Sequence, residues 1–250
     1  MRMIATIALT GWMTLAGACT GGTGAEASAP EAKPAPAAEA APAAEAAPAA
    51  EPAPAAKAGP HPALMDPSKT AETAPDTYKV EISTTKGKFV VAVTRAWAPK
   101  GADRFYNLVK IGYFDDIAFF RNIAGFMVQF GIHGDGAVNK VWKASNIQDD
   151  PGVESNSAGM VTFATSGPNT RTTQLFINHG NNGRLDGMGF SPFGKVVEGL
   201  DVVQALYNGY GEGAPRGRGP DQGRMQSEGN VYLRGEFPKM DYTQGARILP

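Results

Sequence analysis

The folded part of this chain is predicted to be mainly β, a closed barrel or a sandwich, and three observations lead there. Apolar and polar residues alternate over short runs, as in Lys79-Val80-Glu81-Ile82 and Met127-Val128-Gln129. Glycine-rich turns divide those runs. Apolar residues at helical spacing recur in only two stretches, Asp103 to Ile111 and Leu200 to Tyr207.

The chain opens on an export signal. Arg2 supplies positive charge, Ile4 to Leu15 is almost entirely apolar, and Ala16-Gly17-Ala18 supplies the small residues a signal peptidase needs. Residues 1–18 are therefore expected to be a signal peptide. The apolar run falls short of the ~20 residues that cross a bilayer as a stable helix, and no later segment is apolar enough, so an integral membrane protein is not expected. Leu15-Ala16-Gly17-Ala18-Cys19 resembles a bacterial lipoprotein processing site, in which the cysteine is acylated. Such sites usually carry a branched apolar residue where Ala16 stands, and ordinary cleavage after Ala18 would leave a free thiol. The lipoprotein reading is favoured because the chain's only cysteine lies at the cut. It makes Cys19 the lipidation site, gives the protein an N-terminal lipid anchor, and places it in the periplasm or at the outer membrane.

Residues 19–76 are dominated by Ala, Pro and Glu, with Pro36, Pro42, Pro48 and Pro54 recurring every six residues. Proline at that spacing removes donors and clashes with the preceding turn, so no helix is expected despite the alanine. The repeats offer no aromatic or β-branched residue for a core. The segment reads as a disordered, semi-stiff tether, with a contour on the order of 100 to 150 Å at ~3.1 Å per polyproline-like residue.

Residues 77–250 form the predicted body, a single domain. Lys79 to Ile82 and Phe89 to Val93 make a hairpin around Lys86-Gly87-Lys88. Phe105, Leu108 and Val109 give the first helix its stripe, with Gly112 placed to end it, and Val202, Val203 and Leu206 give the second. Asn208 to Glu228 reads as a long basic loop, and Tyr232 to Ile248 as further strands.

A net charge of -1 gives no electrostatic reason to expect a nucleic-acid partner. One cysteine cannot form an intramolecular disulfide. His133 and Asp135 lack a clear third ligand, Asp149-Asp150 reads as a solvated turn, and Gly209-Tyr210-Gly211-Glu212-Gly213 lacks the strand-turn-helix setting of a phosphate loop. No metal and no cofactor are expected. What remains is a set of fixed donors beside apolar bulk. The strand period puts Met127 with Gln129, and Gln174 with Phe176, while Phe126 follows the bend at Gly125 and Arg121 stands upstream of it.

Phe120-Arg121-Asn122-Ile123-Ala124-Gly125-Phe126-Met127-Val128-Gln129, then Gly159 to Thr170, Gln174-Leu175-Phe176-Ile177, Leu185-Asp186-Gly187 and Phe193-Gly194-Lys195-Val196, closely resemble the cyclophilins, the peptidyl-prolyl cis-trans isomerases. The resemblance runs from about Lys79 to Tyr207. It implies an eight-stranded closed antiparallel β-barrel capped by two α-helices. It also implies Arg121 as the catalytic residue and Phe126, Met127, Phe176 and Leu185 as walls of a proline pocket. Gln129 supports the arginine and the substrate carbonyl; Ala164, Thr165 and Gln174 form the groove for residues before the proline. Phe120, Ala124, Thr165 and Arg184 depart from the commonest pattern, which has histidine, proline, asparagine and tryptophan there; Arg184 implies weakened cyclosporin binding.

The implied function is isomerisation of X-Pro bonds during folding of exported proteins, by a monomer acting on proline-containing polypeptides. A non-catalytic proline-peptide-binding module or chaperone, and a lipoprotein scaffold in which the tether matters most, are the alternatives.

Overall fold

A computed structural model describes residues 60–250 of the protein. The signal peptide, Cys19 and most of the tether lie outside the described residues. Composition put the start of the body at residue 77, but packing starts it earlier. Ala63, Leu64 and Ala74 are buried in the main core, and the Trp142 indole N–H donates to the Leu64 carbonyl at 2.9 Å.

β1 (Thr77–Thr84) and β2 (Gly87–Thr94) form the expected hairpin, with Tyr78, Val80 and Ile82 alternating inward. α1 (Pro99–Lys110) follows, then β3 (Arg121–Ile123), β4 (Met127–Phe130), α2 (Gly136–Trp142), β5 (Met160–Phe163), β6 (Leu175–Asn178), β7 (Pro192–Glu198), α3 (Leu200–Gln204), α4 (Gln222–Glu228), α5 (Asn230–Glu236) and β8 (Thr243–Ile248). The eight strands make one antiparallel sheet in the order β3-β4-β6-β5-β7-β2-β1-β8.

The sheet is a curled half-barrel and is not closed, which corrects the expectation of a closed barrel. Its edges β3 and β8 share no ladder. A single antiparallel bridge, Ala118 to Tyr242, spans the seam just before both strands. The physical reason is side-chain packing at that seam. Ala118, Phe120, Tyr232, Phe237, Met240 and Tyr242 belong to a second apolar cluster, separate from the main core. The main core fills the concave face, with Val128, Phe130, Val161, Leu175 and Ile177 packed toward Phe105 and Leu108 of α1.

More of the body is helical than expected. Tyr232 to Glu236 lies in α5, and only Thr243–Ile248 of the C-terminal tail is strand. The predicted loop ends in α4, whose N–H of Arg224 is capped by the Asp221 carboxylate at 2.8 Å. Met225 is the one buried residue of α4, too little for an apolar stripe to be read. Asp150 is not in a solvated turn. Its carboxylate accepts from the N–H groups of Lys100 and Gly101, at 3.0 and 2.8 Å, and so caps α1 from 50 residues away. Arg171 pairs with it at 3.0 Å, both side chains only 2% exposed. His133 and Asp135 are engaged in turn chemistry: Asp135 caps α2 through the Ala137 N–H at 2.7 Å.

Candidate active site

The site lies on the convex face of the strands whose other face supplies the core. Across the sheet, Arg121 of β3 stands opposite Gln129 of β4, Gln129 opposite Phe176 of β6, and Phe176 opposite Thr162 of β5. Neighbouring strands align their pleats, so this row shares one face. The hairpin between β3 and β4 closes with the Phe126 N–H donating to the Ile123 carbonyl at 3.0 Å. Gly125 sits there at φ +71°, a conformation that favours glycine, and it turns Phe126 back over the row.

A cavity of about 560 Å³ opens over this row. All nine residues assigned by resemblance to catalysis and peptide binding line it: Arg121, Phe126, Met127, Gln129, Ala164, Thr165, Gln174, Phe176 and Leu185. Met127, Phe176 and Leu185 form its apolar floor, joined by Phe126, Ala164 and Phe190. The Phe190 ring meets Phe176 edge-on, 5.7 Å between centroids. Gln129 links two partners. Its carbonyl accepts from Arg121 Nη1 at 3.0 Å, and its amide donates to Gln174 Oε1 at 2.9 Å. The Thr165 hydroxyl is spent within its own loop, on the Gly167 carbonyl and Thr170, so only its backbone is left for a ligand.

Sequence reasoning missed one participant. Glu212, from the Gly-rich segment after α3, takes Arg121 Nε–H and Nη2–H in a bidentate pair, both at 2.7 Å. That hydrogen bond is the main cause holding its carboxyl below the ordinary 4.5, against an opposing push from burial. An acid flanked by glycines is its only visible signal, in a run that lacks the setting of a phosphate loop. Phe190, Gln222 and Gln226 also line the cavity, and no sequence motif marks them.

The model of the cyclophilin-type peptidyl-prolyl cis-trans isomerases matches residues 79–223. The chain belongs to the cyclophilin family. Its activity is peptidyl-prolyl cis-trans isomerisation. A peptidyl-prolyl cis-trans isomerase of Arabidopsis thaliana is 37% identical over 111 residues, 43% of this chain and 69% of the relative. One from Streptomyces antibioticus is 32% identical over 150 residues, 55% of this chain and 87% of the relative. The crystal structure of a Cryptosporidium parvum cyclophilin superposes with a TM-score of 0.51 at 20% identity, over 70% of this chain and 98% of that one, which shows the same fold.

Within this cyclophilin two of the departures from the common pattern, Phe120 and Arg184, have local partners. Phe120, 3% exposed, packs in the second apolar cluster with Met225 and Tyr232, where a histidine would bury a polar ring. Arg184 lays its guanidinium over the Phe126 ring at 4.7 Å, and Arg121 reaches the same ring at 5.8 Å. Nothing in the structure explains Ala124, which is exposed in the turn.

Proposed function

We propose that this cyclophilin speeds X-Pro isomerisation in exported polypeptides, with Arg121 as the catalytic donor and the Met127, Phe176 and Leu185 floor as the proline seat. The observation that carries the reading is Arg121 standing over that apolar floor while Gln129 bridges it to the peptide groove. Resonance opposes peptide rotation with a barrier of ~18–20 kcal/mol. In the twisted state the proline nitrogen becomes pyramidal and recovers its lone pair. A guanidinium N–H aimed there stabilises the twisted state more than either planar one, which is what catalysis requires. No acid, base or nucleophile is needed. The Cryptosporidium parvum relative was also crystallised in the presence of the dipeptide Ala-Pro, in keeping with a proline ligand for this cavity.

The export context rests on Arg2, the apolar Ile4 to Leu15 and the Ala18-Cys19 junction. In this reading Cys19 carries the lipid, the Ala/Pro/Glu tract spaces the domain from the membrane, in the periplasm or at the outer membrane, and the enzyme works as a monomer.

The test is turnover of a short X-Pro peptide. A hydrogen bond to a charged group contributes about 1.5–3 kcal/mol, so Arg121→Ala is expected to lower kcat/KM by roughly ten- to a hundredfold with unchanged melting. Wild-type protein that binds proline peptides without accelerating them would overturn the catalytic reading in favour of a binding module. Mass spectrometry of the mature N-terminus tests acylation of Cys19.

A further inference from the structure

Arg121 has five N–H donors. Glu212 occupies the Nε–H and one on Nη2, and Gln129 occupies one on Nη1. That leaves one N–H open on Nη2 and one on Nη1 that meets only the Met127 sulfur, a weak acceptor, at 4.0 Å. We propose that Glu212 is a positioning residue for the isomerisation: its carboxylate fixes the guanidinium so that those open N–H groups face a peptide in the cavity. The inference rests on Arg121 being the catalytic donor.

The carboxylate is itself held. Gly213 N–H donates to Glu212 Oε1 at 3.0 Å. The Glu212 carbonyl accepts from Gly219 N–H at 2.8 Å, and a methyl group on Gly217 or Gly219 would run into that carbonyl. At the start of the loop, Tyr210 packs edge-on against Tyr207 and Phe237, 4.9 and 5.0 Å between centroids. A mobile guanidinium would sample many rotamers, whereas one gripped along an edge is aimed before the substrate arrives.

The opposite role, a latch that silences Arg121, fits less well. A latch would have to cover the free donors, and it covers one edge only. Nor does the negative charge remove what the reaction uses. The imide nitrogen is neutral and reads the direction of a nearby N–H, while the Glu212 side chain is 33% exposed, so water screens its charge at a distance.

The charged groups facing Glu212 are Arg121 from β3 and Arg216 from its own loop, and Asp221 at the head of α4 lines the same small hollow. The experiment measures isomerisation of a short X-Pro peptide by wild type, Glu212→Ala and Glu212→Gln from about pH 3.5 to 7.5. Misplacing a catalytic group by about 1 Å is able to lower the rate on the order of a hundredfold. Glu212→Ala is therefore expected to lower kcat by roughly ten- to a hundredfold with little change in KM, and Glu212→Gln by less, since it keeps one acceptor. Wild type is expected to lose rate as pH falls below the ordinary carboxylate range, and Glu212→Gln to lack that acid limb. Slow exchange of the Gly219 amide reports that the loop stays folded in each variant. Wild-type turnover with Glu212→Ala equally or more active, or an acid limb persisting in Glu212→Gln, would overturn this inference alone. Absence of wild-type turnover would remove the catalytic reading and this one with it.

Discussion

The floor of the cavity and the segment that grips its arginine are built by opposite means. Gln129 and Phe176 stand on β4 and β6, interior strands paired on both sides and backed by fully buried Val128 and Ile177. Glu212 stands on glycine turns between α3 and α4, anchored by the smaller cluster of Met225, Tyr232 and Phe237. Regions with few buried apolar contacts open locally at a lower free energy than the core. The floor is thus tied to global stability, and the grip on Arg121 has freedom to loosen by itself.

The largest effect expected is on the frame. Asp150→Ala leaves the buried Arg171 with only the Asp149 carboxylate, 3.5 Å from its Nε, and uncaps α1. Breaking a buried pair by removing one partner destabilises by about 3–5 kcal/mol. Denaturant unfolding should show a single transition shifted by that amount, with kcat/KM per folded molecule unchanged at low denaturant. Met225→Ala strikes the other region. A buried Met→Ala change costs about 2–5 kcal/mol when the site is part of the global unit. Here we expect less in global unfolding, because the 208–236 segment opens first, and faster amide exchange confined to that segment. Equal acceleration in β4 and β6 would show the two regions to be one cooperative unit.

The same contrast explains what the sequence disclosed. The hairpin, α1 and the site strands were readable because each carries its own period: Val80 and Ile82 inward in β1, Met127 and Gln129 on one face of β4. Nine of the cavity-lining residues were readable because the family motif carries them, on three short strands, the turn at Phe126, the segment between β5 and β6 and the helical turn at Gly183–Met188. Glu212 was not, since its partner Arg121 lies 91 residues away and no local pattern marks the pair. Asp150 is hidden for the same reason, its carboxylate serving the N–H of Lys100, 50 residues earlier. The open seam was equally hidden, because it depends on how Phe120 and Tyr242 pack against α5.

A smaller effect should appear with pH, at the joint between the two regions. His179 Nε2 lies 2.8 Å from Asn122 Oδ1, and the Asn122 amide donates to the Leu206 carbonyl at 2.8 Å, where the chain leaves for the Glu212 segment. Burial holds His179 and His133 below the ordinary 6.5. For each, the unfolded chain takes up a proton first on acidification. Stability is therefore full above about pH 6.5 and declines as pH falls from there through the folded-state value. We expect Tm to drop by less than about 4 °C across that window, and His179→Asn to remove part of the dependence.

The smallest effect concerns Phe126, which both regions touch. Arg121, gripped by Glu212, lies 5.8 Å from its ring, and Arg184, on the turn after β6, lies 4.7 Å from it. An exposed cation–π contact contributes about 0.5–1 kcal/mol. Arg184 is exposed and forms no part of the strand ladders. Its removal should therefore free the ring on one account only, leaving Arg121 and the floor in place. Arg184→Ala is expected to raise KM for an X-Pro peptide about two- to fivefold at constant kcat, since about 1.4 kcal/mol corresponds to a factor of ten. Arg184→Trp should restore KM and, by replacing a charge with a flat apolar surface, tighten cyclosporin in a competition assay. A fall in kcat in either variant would mean that Phe126 transmits to Arg121, and that the floor and the grip are less separate than their architecture implies.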